Sequence, residues 1–538
     1  MRKTVIFAGE AGQGIDRTAV LFGKMLAACG KHCFIYRDYS SLIRGGHNFS
    51  TVTFSDMPVR SHDEEADIIV ALNVKAYEKH ESQLKRKGEV VSSQPIGKFT
   101  PVIVPFEKGN SSNNALLGFL AARVGIPFSA GSRVLRKDFG AKAENIIKIF
   151  KEGYSSFGGD PEKMTIGEPK AVFDGNEAVA KGAIDAGLHA AFYYPMTPAT
   201  GVFTKLESVK TENNIIVEQT EDEIAAANAT IGASYAGKTV MTGSSGGGLA
   251  LMSEAVSFAG MAELPVVFYA AQRMGPSTGV PTYTSQGDIR FVLNIGPGEF
   301  PRMVLIPGDI QEAYEMTRQA FYFSRKYRMP VFILSDKHIA ESYASVGQKL
   351  SSTVSKNDFL KKVSGKNYKS YEITKDGISV GAVPGGIGCV RATSYEHDEF
   401  GYTTEDPEKV KSMNEKRMRK ETTLKAELGR KGGISIYGKG NKAFVFSGSP
   451  KGAVLDALAN LKGWSAIQIN RLAPFPEKEF TDAIKGKEFL TVENNSTALL
   501  AGVIRQACAI KESGSILRYD GRPFTPDYIV EKIKKDRR

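Results

Sequence analysis

The chain has 538 residues, 42% of them apolar and 24% charged, an ordinary globular composition that at about 150 residues per domain holds three or four domains. Lys and Arg number 70 against 59 Asp and Glu, and the resulting +11 charge is spread over a large surface. It is weak support for a nucleic-acid partner and fits an anionic small substrate, an anionic cofactor or an acidic protein equally well. No apolar run approaches the roughly 18 residues of a membrane span, and Val5–Ala8 is too short for a signal-peptide core, so a cytoplasmic location without membrane contact is expected.

Residues 1–165 read as a first α/β unit. An apolar strand, Thr4–Ala8, runs into the turn Gly9-x-x-Gly12-x-Gly14 and then into a helix carrying Val20, Leu21, Met25 and Leu26. Amides at such a helix start can cradle an anion, yet the spacing differs from the dinucleotide fingerprint and no ribose-binding acid closes the unit. A phosphate-type site and a tight turn with nothing bound are both consistent with it. Arg44-Gly45-Gly46-His47 adds either a cation on a flexible loop or a plain surface turn. Further strands are expected at Ala66–Leu72 and Pro101–Val104, and the Gly/Ser/Pro-rich stretch from Gly153 to Pro169 reads as a linker.

Residues 170–345 form the second unit, in which Ala-rich helices (Asn176–Gly187, Glu223–Gly237) alternate with apolar strands (Ala191–Tyr194, Pro265–Ala270, Pro330–Ser335), the signature of a doubly wound parallel sheet. Several junctions here carry reactive side chains. In Tyr194-Pro195-Met196-Thr197-Pro198 two prolines fix the backbone around a hydroxyl at the carboxyl end of a strand, where open α/β sheets bind ligands. In the acid-rich stretch Glu218–Ile224, Thr220 and Glu223 have the spacing of a Thr-x-x-Glu capping box, while the rival reading buries one carboxylate against a ligand. The run Ser244-Ser245-Gly246-Gly247-Gly248 lets the main chain approach a ligand or simply makes a tight turn. Arg273, in a Gly/Pro/Ser/Thr loop after a strand, suits a carboxylate gripped by two parallel hydrogen bonds.

Residues 346–438 break the rhythm. The Lys/Arg-rich stretch Lys409–Lys431 is expected to be an exposed helix or arm, either a solvated charged face or a docking arm for a partner subunit. Residues 439–538 make a third α/β unit, with strands at Ala443–Ser447, Ala466–Ile469 and Phe489–Val492. Cys29, Cys33, Cys389 and Cys508 are scattered, and the seven histidines form no HExxH pattern, so neither an iron–sulfur cluster nor a self-contained zinc site is expected in this chain.

In this order the motifs resemble the 2-oxoacid:ferredoxin oxidoreductases, specifically a gamma-type domain fused to an alpha-type domain. GEAGQG with RGGH is similar to the gamma part. GNEAVAKGA, YPMTPAT, EQTEDEIAAANATIGASYAG and RMGPSTGVPT are similar to the alpha pyrimidine-binding domain. EHDEFGYTTED with KRMRK, then NRLAPFPEKEF, TVENNS and YDGRPFTPDYI, are similar to the rest of the alpha chain, which ends in a transketolase C-terminal-like domain. Two departures stand out. The family's Thr-Ser-Gly-Pro-Gly is Ser244-Ser245-Gly246-Gly247-Gly248 here, and its Glu-Gln before the aspartate Asp288 is Ser285-Gln286.

The resemblance implies several α/β domains with doubly wound, mostly parallel sheets, and coenzyme A-dependent oxidative decarboxylation of a 2-oxoacid with reduction of ferredoxin, or the reverse. It implies thiamine pyrophosphate as cofactor, with Glu223 (rival Glu221) and Pro195 at its pyrimidine, and with Thr197 and Arg273 on the substrate carboxylate. Gly9, Gly12 and Gly14 are implied to help hold coenzyme A phosphates. Magnesium, the pyrophosphate grip and a 4Fe-4S cluster are implied in a separate beta subunit, the assembly being a dimer of alpha-beta heterodimers. The fused arrangement leans towards 2-oxoglutarate, with branched-chain 2-oxoacids and pyruvate open, and the alternatives from other classes are a non-catalytic scaffold subunit and a transketolase-like enzyme.

Overall fold

A computed structural model describes residues 2–41, 46–93, 95–96, 102–103, 110–354, 359–361, 367–386, 388–429 and 432–535. Arg44 and Gly45, the outer residues Pro101 and Val104 of one expected strand, and Arg430 and Lys431 at the end of the expected arm lie outside the described residues.

The apolar run at the start forms the strand Lys3–Glu10, buried on both faces, and it is followed by the helix Ile15–Ala28, which packs Phe22, Met25 and Leu26 against the sheet. A strand buried on both faces reads as a continuous apolar run instead of an alternation. The sheet around it is mixed, in the order Val102–Ile103, Leu84–Ser92, Ala66–Ala71, Lys3–Glu10, His47–Ser55, His32–Asp38, Tyr343–Val346, Ala171–Asp174. Lys3–Glu10 runs parallel to Ala66–Ala71 and antiparallel to His47–Ser55. Its last two strands come from residues read as part of the second unit, and the Ser345 hydroxyl accepts the Cys33 N–H at 2.9 Å across that seam.

The second sheet has seven strands, in the order Arg471–Ala473, Met303–Leu305, Pro330–Asp336, Val266–Gln272, Val240–Ser244, Ala190–Tyr193, Ile216–Gln219. All its pairings are parallel except the first, in which the third unit lends an edge strand. The third unit has its own five-stranded sheet, Ile434–Gly438, Trp464–Ile469, Lys442–Phe446, Glu488–Glu493, Gly514–Leu517, with the first strand antiparallel. No helix among the described residues is long and apolar enough to cross a membrane.

The exposed arm is where the expectation fails. Pro407–Leu428 is one helix, capped by Asp406 and carrying proline in its first turn, and it buries Met413, Lys416, Arg417, Lys420 and Leu424. Lys416 Nζ donates to both oxygens of the buried Glu263 carboxylate at 2.6 and 2.8 Å, and Lys420 Nζ lies 2.6 Å from Oε2. Burial alone would raise the Glu263 carboxyl, but Lys420, Lys416 and Arg328 together hold it below the usual carboxylate range. Burial also pushes Lys420 down to about 7 against the opposing pull of Glu263. The charges are therefore spaced to meet a carboxylate on another element, a pattern that composition alone reads as solvation.

Glu263→Gln should leave two buried ammonium groups facing a neutral amide. Removing one partner of a buried pair costs about 3–5 kcal/mol, so the denaturant midpoint should fall sharply; a midpoint unchanged from the parent would mean that the helix is held by its apolar residues alone.

Candidate active site

In the second sheet the strands Val266–Gln272, Val240–Ser244, Ala190–Tyr193 and Ile216–Gln219 are consecutive neighbours and all parallel. Each is followed at its carboxyl end by one of the segments singled out above: Arg273, Ser244–Gly248, Thr197 and Glu223 respectively. Parallel order thus brings residues up to 76 positions apart in the chain to one edge, the edge at which open α/β sheets take ligands.

The capping box is not formed. The helix Glu223–Tyr235 is capped by Asp222, whose side chain accepts the Ala225 N–H at 2.7 Å, while the Thr220 hydroxyl donates to the Asp222 carbonyl at 2.8 Å. Glu223 is thereby the first helical residue, and it turns inward to 2% exposure, whereas Glu221 and Asp222 are exposed. The Ser244 hydroxyl donates to Glu223 Oε1 at a long 3.4 Å.

Gly248 covers this carboxyl with its backbone. A Cβ there would lie 2.1 Å from Ser244 Oγ and 2.5 Å from Glu223 Oε1, and one on Gly246 would lie 2.5 Å from Asp288 Oδ2. The hydroxyls of Thr242 and Ser245 are buried nearby in sequence without a hydrogen-bond partner. A buried carboxyl, unpartnered hydroxyls and close backbone approach fit a polar heterocycle that presents both donors and acceptors.

Arg273, half-buried, donates from Nη1 to the Thr197 carbonyl at 2.9 Å, which joins the two loops directly. Asn176 Nδ2 donates to the Pro198 carbonyl at 3.2 Å and holds the other side of that turn, with the Tyr269 hydroxyl donating at 3.2 Å to Asn176 Oδ1. Burial lowers the Arg273 guanidinium, opposed by the Asp288 charge. Burial likewise raises the Asp288 carboxyl, opposed by Arg273. Each of the two opposite charges thus offsets part of the other's desolvation. Pro195 and Glu221 lie exposed on the rim.

Two positioning residues escaped the sequence. Gln272 Oε1 accepts the Asp288 N–H at 3.0 Å, and its amide donates to the Ser335 carbonyl at 3.2 Å, fixing the base of the Arg273 loop. Gln286 exchanges backbone and side-chain bonds with Asn494 of the third unit and donates at 2.7 Å to the Ser447 carbonyl. Gln286 matches the Gln of the family's Glu-Gln, and only Ser285 beside it departs from that pair.

The glycine turn of the first unit belongs to a different sheet. Gly12 and Gly14 have φ of +91° and +74°, and Gly14 starts the helix Ile15–Ala28. The Gln13 side chain accepts the Glu10 N–H at 2.8 Å, and a Cβ on Gly9 would meet Gln13 Oε1 at 2.5 Å. The loop is packed by its own side chain as well as shaped for close approach.

A family model described as pyruvate flavodoxin/ferredoxin oxidoreductase, thiamine diphosphate-binding, matches residues 181–416, and one described as pyruvate ferredoxin/flavodoxin oxidoreductase matches residues 4–156. The chain is 32% identical to a 2-oxoacid:ferredoxin oxidoreductase subunit alpha of Saccharolobus solfataricus, over 99% of this chain and 98% of that one. It is 33% identical to the 2-oxoglutarate synthase subunit KorA of Methanocaldococcus jannaschii, over 67% of this chain and 98% of that one. A solved 2-oxoglutarate:ferredoxin oxidoreductase from Magnetococcus marinus, with 2-oxoglutarate, coenzyme A and succinyl-CoA bound, superposes with a TM-score of 0.89 at 29% identity, and each chain covers 100% of the other.

Gly248→Ala should drive the Glu223 carboxyl from its seat. Titration of the purified chain with thiamine diphosphate in the presence of its partner subunit should show weakened binding, with the global unfolding midpoint changed far less; unchanged binding would mean that the Ser244 and Glu223 side chains rotate clear of the new methyl group.

Proposed function

The chain belongs to the 2-oxoacid:ferredoxin oxidoreductases, as a subunit alpha and so a component of an oxidoreductase, and from that premise we propose that it forms the substrate-binding and pyrimidine-contacting half of a thiamine diphosphate site. In this reading a beta subunit holds the pyrophosphate, its magnesium and a 4Fe-4S cluster, and two alpha-beta pairs assemble together. A 2-oxoacid, coenzyme A and two oxidised ferredoxins give acyl-CoA, carbon dioxide, a proton and two reduced ferredoxins, or the reverse. The preferred 2-oxoacid is 2-oxoglutarate, supported by the relatives named 2-oxoglutarate synthase and by the Magnetococcus marinus enzyme.

The observation that carries the proposal is the buried Glu223 carboxyl on the same sheet edge as Thr197 and Arg273. When bound, thiamine diphosphate supplies a nucleophilic carbon and an electron sink. Glu223, steered by the Ser244 hydroxyl, holds and returns a proton at a ring nitrogen of the aminopyrimidine. Gly248 lets the main chain lie against that carboxyl, and Thr242 and Ser245 offer hydroxyls to the same ring. Arg273 spends Nη1 on the Thr197 carbonyl and meets the substrate carboxylate with Nε and Nη2, and the Thr197 hydroxyl adds a donor. Fixing the carboxylate orients the neighbouring keto carbon for attack, where rate is gained from geometry more than from affinity. The glycine turn with Gly9, Gly12 and Gly14 is assigned to coenzyme A.

The test is 2-oxoacid-dependent reduction of a viologen dye by the chain alone and with its beta subunit, across 2-oxoglutarate, pyruvate and branched-chain 2-oxoacids. Activity only with the partner, fastest on 2-oxoglutarate, is expected; turnover by this chain alone would refute the divided site, and none with the partner would favour a scaffold. Glu223→Gln should lower decarboxylation by about 10²- to 10⁴-fold while co-purification with the partner persists, and near-normal turnover would transfer the role to Glu221. Arg273→Met should raise KM for every 2-oxoacid by about 10- to 100-fold, the worth of one charge-assisted contact; an unchanged KM removes it from the carboxylate site.

A further inference from the structure

Behind the Arg273 loop, one buried carboxylate of the first unit meets side chains from both of the others. Asp38 ends the strand His32–Asp38 and is 4% exposed. Its Oδ1 accepts the Tyr283 hydroxyl at 3.2 Å, its Oδ2 accepts the Tyr36 hydroxyl at 2.9 Å, and Arg522 Nε of the third unit lies 3.6 Å from Oδ2. The Arg522 guanidinium also sits 4.0 Å from the centre of the Tyr283 ring. Tyr283 is therefore held at its hydroxyl by one unit and across its ring face by another.

Tyr283 closes the loop that Arg273 begins. Its carbonyl accepts the Met274 N–H at 3.0 Å, its N–H donates to the Val280 carbonyl at 3.1 Å, and the Val280 N–H donates to the Met274 carbonyl at 2.8 Å. The loop is a small knot whose ends are adjacent to each other, so displacing Tyr283 displaces Met274 and with it the backbone of Arg273. The next residue is pinned as well: Thr284 N–H donates to the Gly521 carbonyl at 3.1 Å, and a Cβ on Gly521 would meet Tyr283 Cβ at 3.0 Å.

We propose that Asp38 is a positioning residue for the 2-oxoacid site: by accepting the Tyr283 hydroxyl it lets the gamma-type first unit fix the loop that aims Arg273 at the substrate carboxylate. The proposal rests on the reading of Arg273 as the carboxylate contact. Asp38 touches neither substrate nor cofactor, and it acts through Tyr283 alone. Tyr36 and Arg522 keep its two oxygens from swinging, which is why a single carboxylate suffices to couple three units.

The test uses the complete alpha-beta enzyme. Tyr283→Phe keeps the ring, its stacking under Arg522 and the loop backbone, and removes only the donor; it should raise KM for the 2-oxoacid about tenfold, with kcat changed by less than about twofold and KM for coenzyme A unchanged. Asp38→Ala should raise the same KM by at least as much, and the double variant should be no worse than Asp38→Ala, since both act through one hydrogen bond. Asp38→Asn, which still offers an acceptor oxygen, should recover most of the loss. An unchanged KM in Tyr283→Phe and Asp38→Ala, or equal losses of kcat and thermal stability with KM intact, would overturn the proposal. Arg273→Met separates the two readings: if it raises KM while Tyr283→Phe does not, the tether fails and the carboxylate contact stands, and if it leaves KM unchanged the carboxylate contact itself fails.

Discussion

In a parallel sheet every strand must end at the same edge as its neighbours, and every connection must travel back before the next strand begins. The four adjacent strands of the second unit therefore deliver their following residues to one edge with no long excursion, and Ser244 meets Glu223 there while Arg273 meets Thr197. Each then needs only a local device to aim it. Asp222 takes over the cap so that Glu223 is free to turn inward, Asn176 braces the Thr197–Pro198 turn, and Gln272 ties Asp288 to the end of the Arg273 strand. The chemistry-bearing groups are thus set by backbone order first and by single polar contacts second.

Polar contacts also join the three units, and they are the sort that a buried interface requires. A buried polar group left without a partner costs about 1–3 kcal/mol, so each crossing hydrogen bond favours one mutual arrangement over others nearby. The Asn494 N–H and Gln286 side chain answer each other, Lys451 bridges Asp309 and Glu312 from the third unit, and the Asp456 carboxylate takes Arg2 and Ser61 of the first. Shared sheets add to this: strands Tyr343–Val346 and Ala171–Asp174 complete the first sheet, and Arg471–Ala473 edges the second. A hydrophobic core that the second and third units share, with Phe268 and Phe332 in one cluster with Val445 and Ile467, and edge strands exchanged between sheets explain how a chain of three α/β patterns behaves as one frame for one site.

Much of this was legible in the residues because buried parallel strands announce themselves as apolar runs between glycine and proline. The strands Val266–Gln272 and Pro330–Asp336 were read to within two residues of their ends, and the helix Glu223–Tyr235 began where expected. Exchanged edge strands were not legible, since four residues such as Tyr343–Val346 carry too little periodicity to be assigned to any sheet. The helix Pro407–Leu428 was misread for a different reason: Lys416 and Lys420 lie four apart on one face, as an exposed pair would, and only the position of Glu263, far away in sequence, makes that face interior. At the site, residue types and strand ends were readable, whereas the choice between Asp222 and Thr220 as cap turned on backbone direction. That choice decided which acid became buried.

The departures from the family pattern fall at open and at crowded positions alike: Gly247 is exposed, whereas Ser244 and Ser285 are buried. Of the run Ser244-Ser245-Gly246-Gly247-Gly248, the position at which the family carries proline is Gly247, which is exposed, has open space around its Cβ direction, and sits in the first turn of the helix Gly246–Leu251. Proline suits a first helical turn, and its Cβ there would meet nothing within 4 Å. Ser244 in place of threonine keeps the hydroxyl that reaches Glu223 Oε1 and gives up only a methyl group. The two glycines shared with the family pattern, Gly246 and Gly248, both lack room: a side chain on Gly248 would strike Ser244 and Glu223, and one on Gly246 would strike Asp288. Glycine at both positions where a side chain has no room is what a loop shaped closely around the Glu223 and Asp288 carboxyls requires.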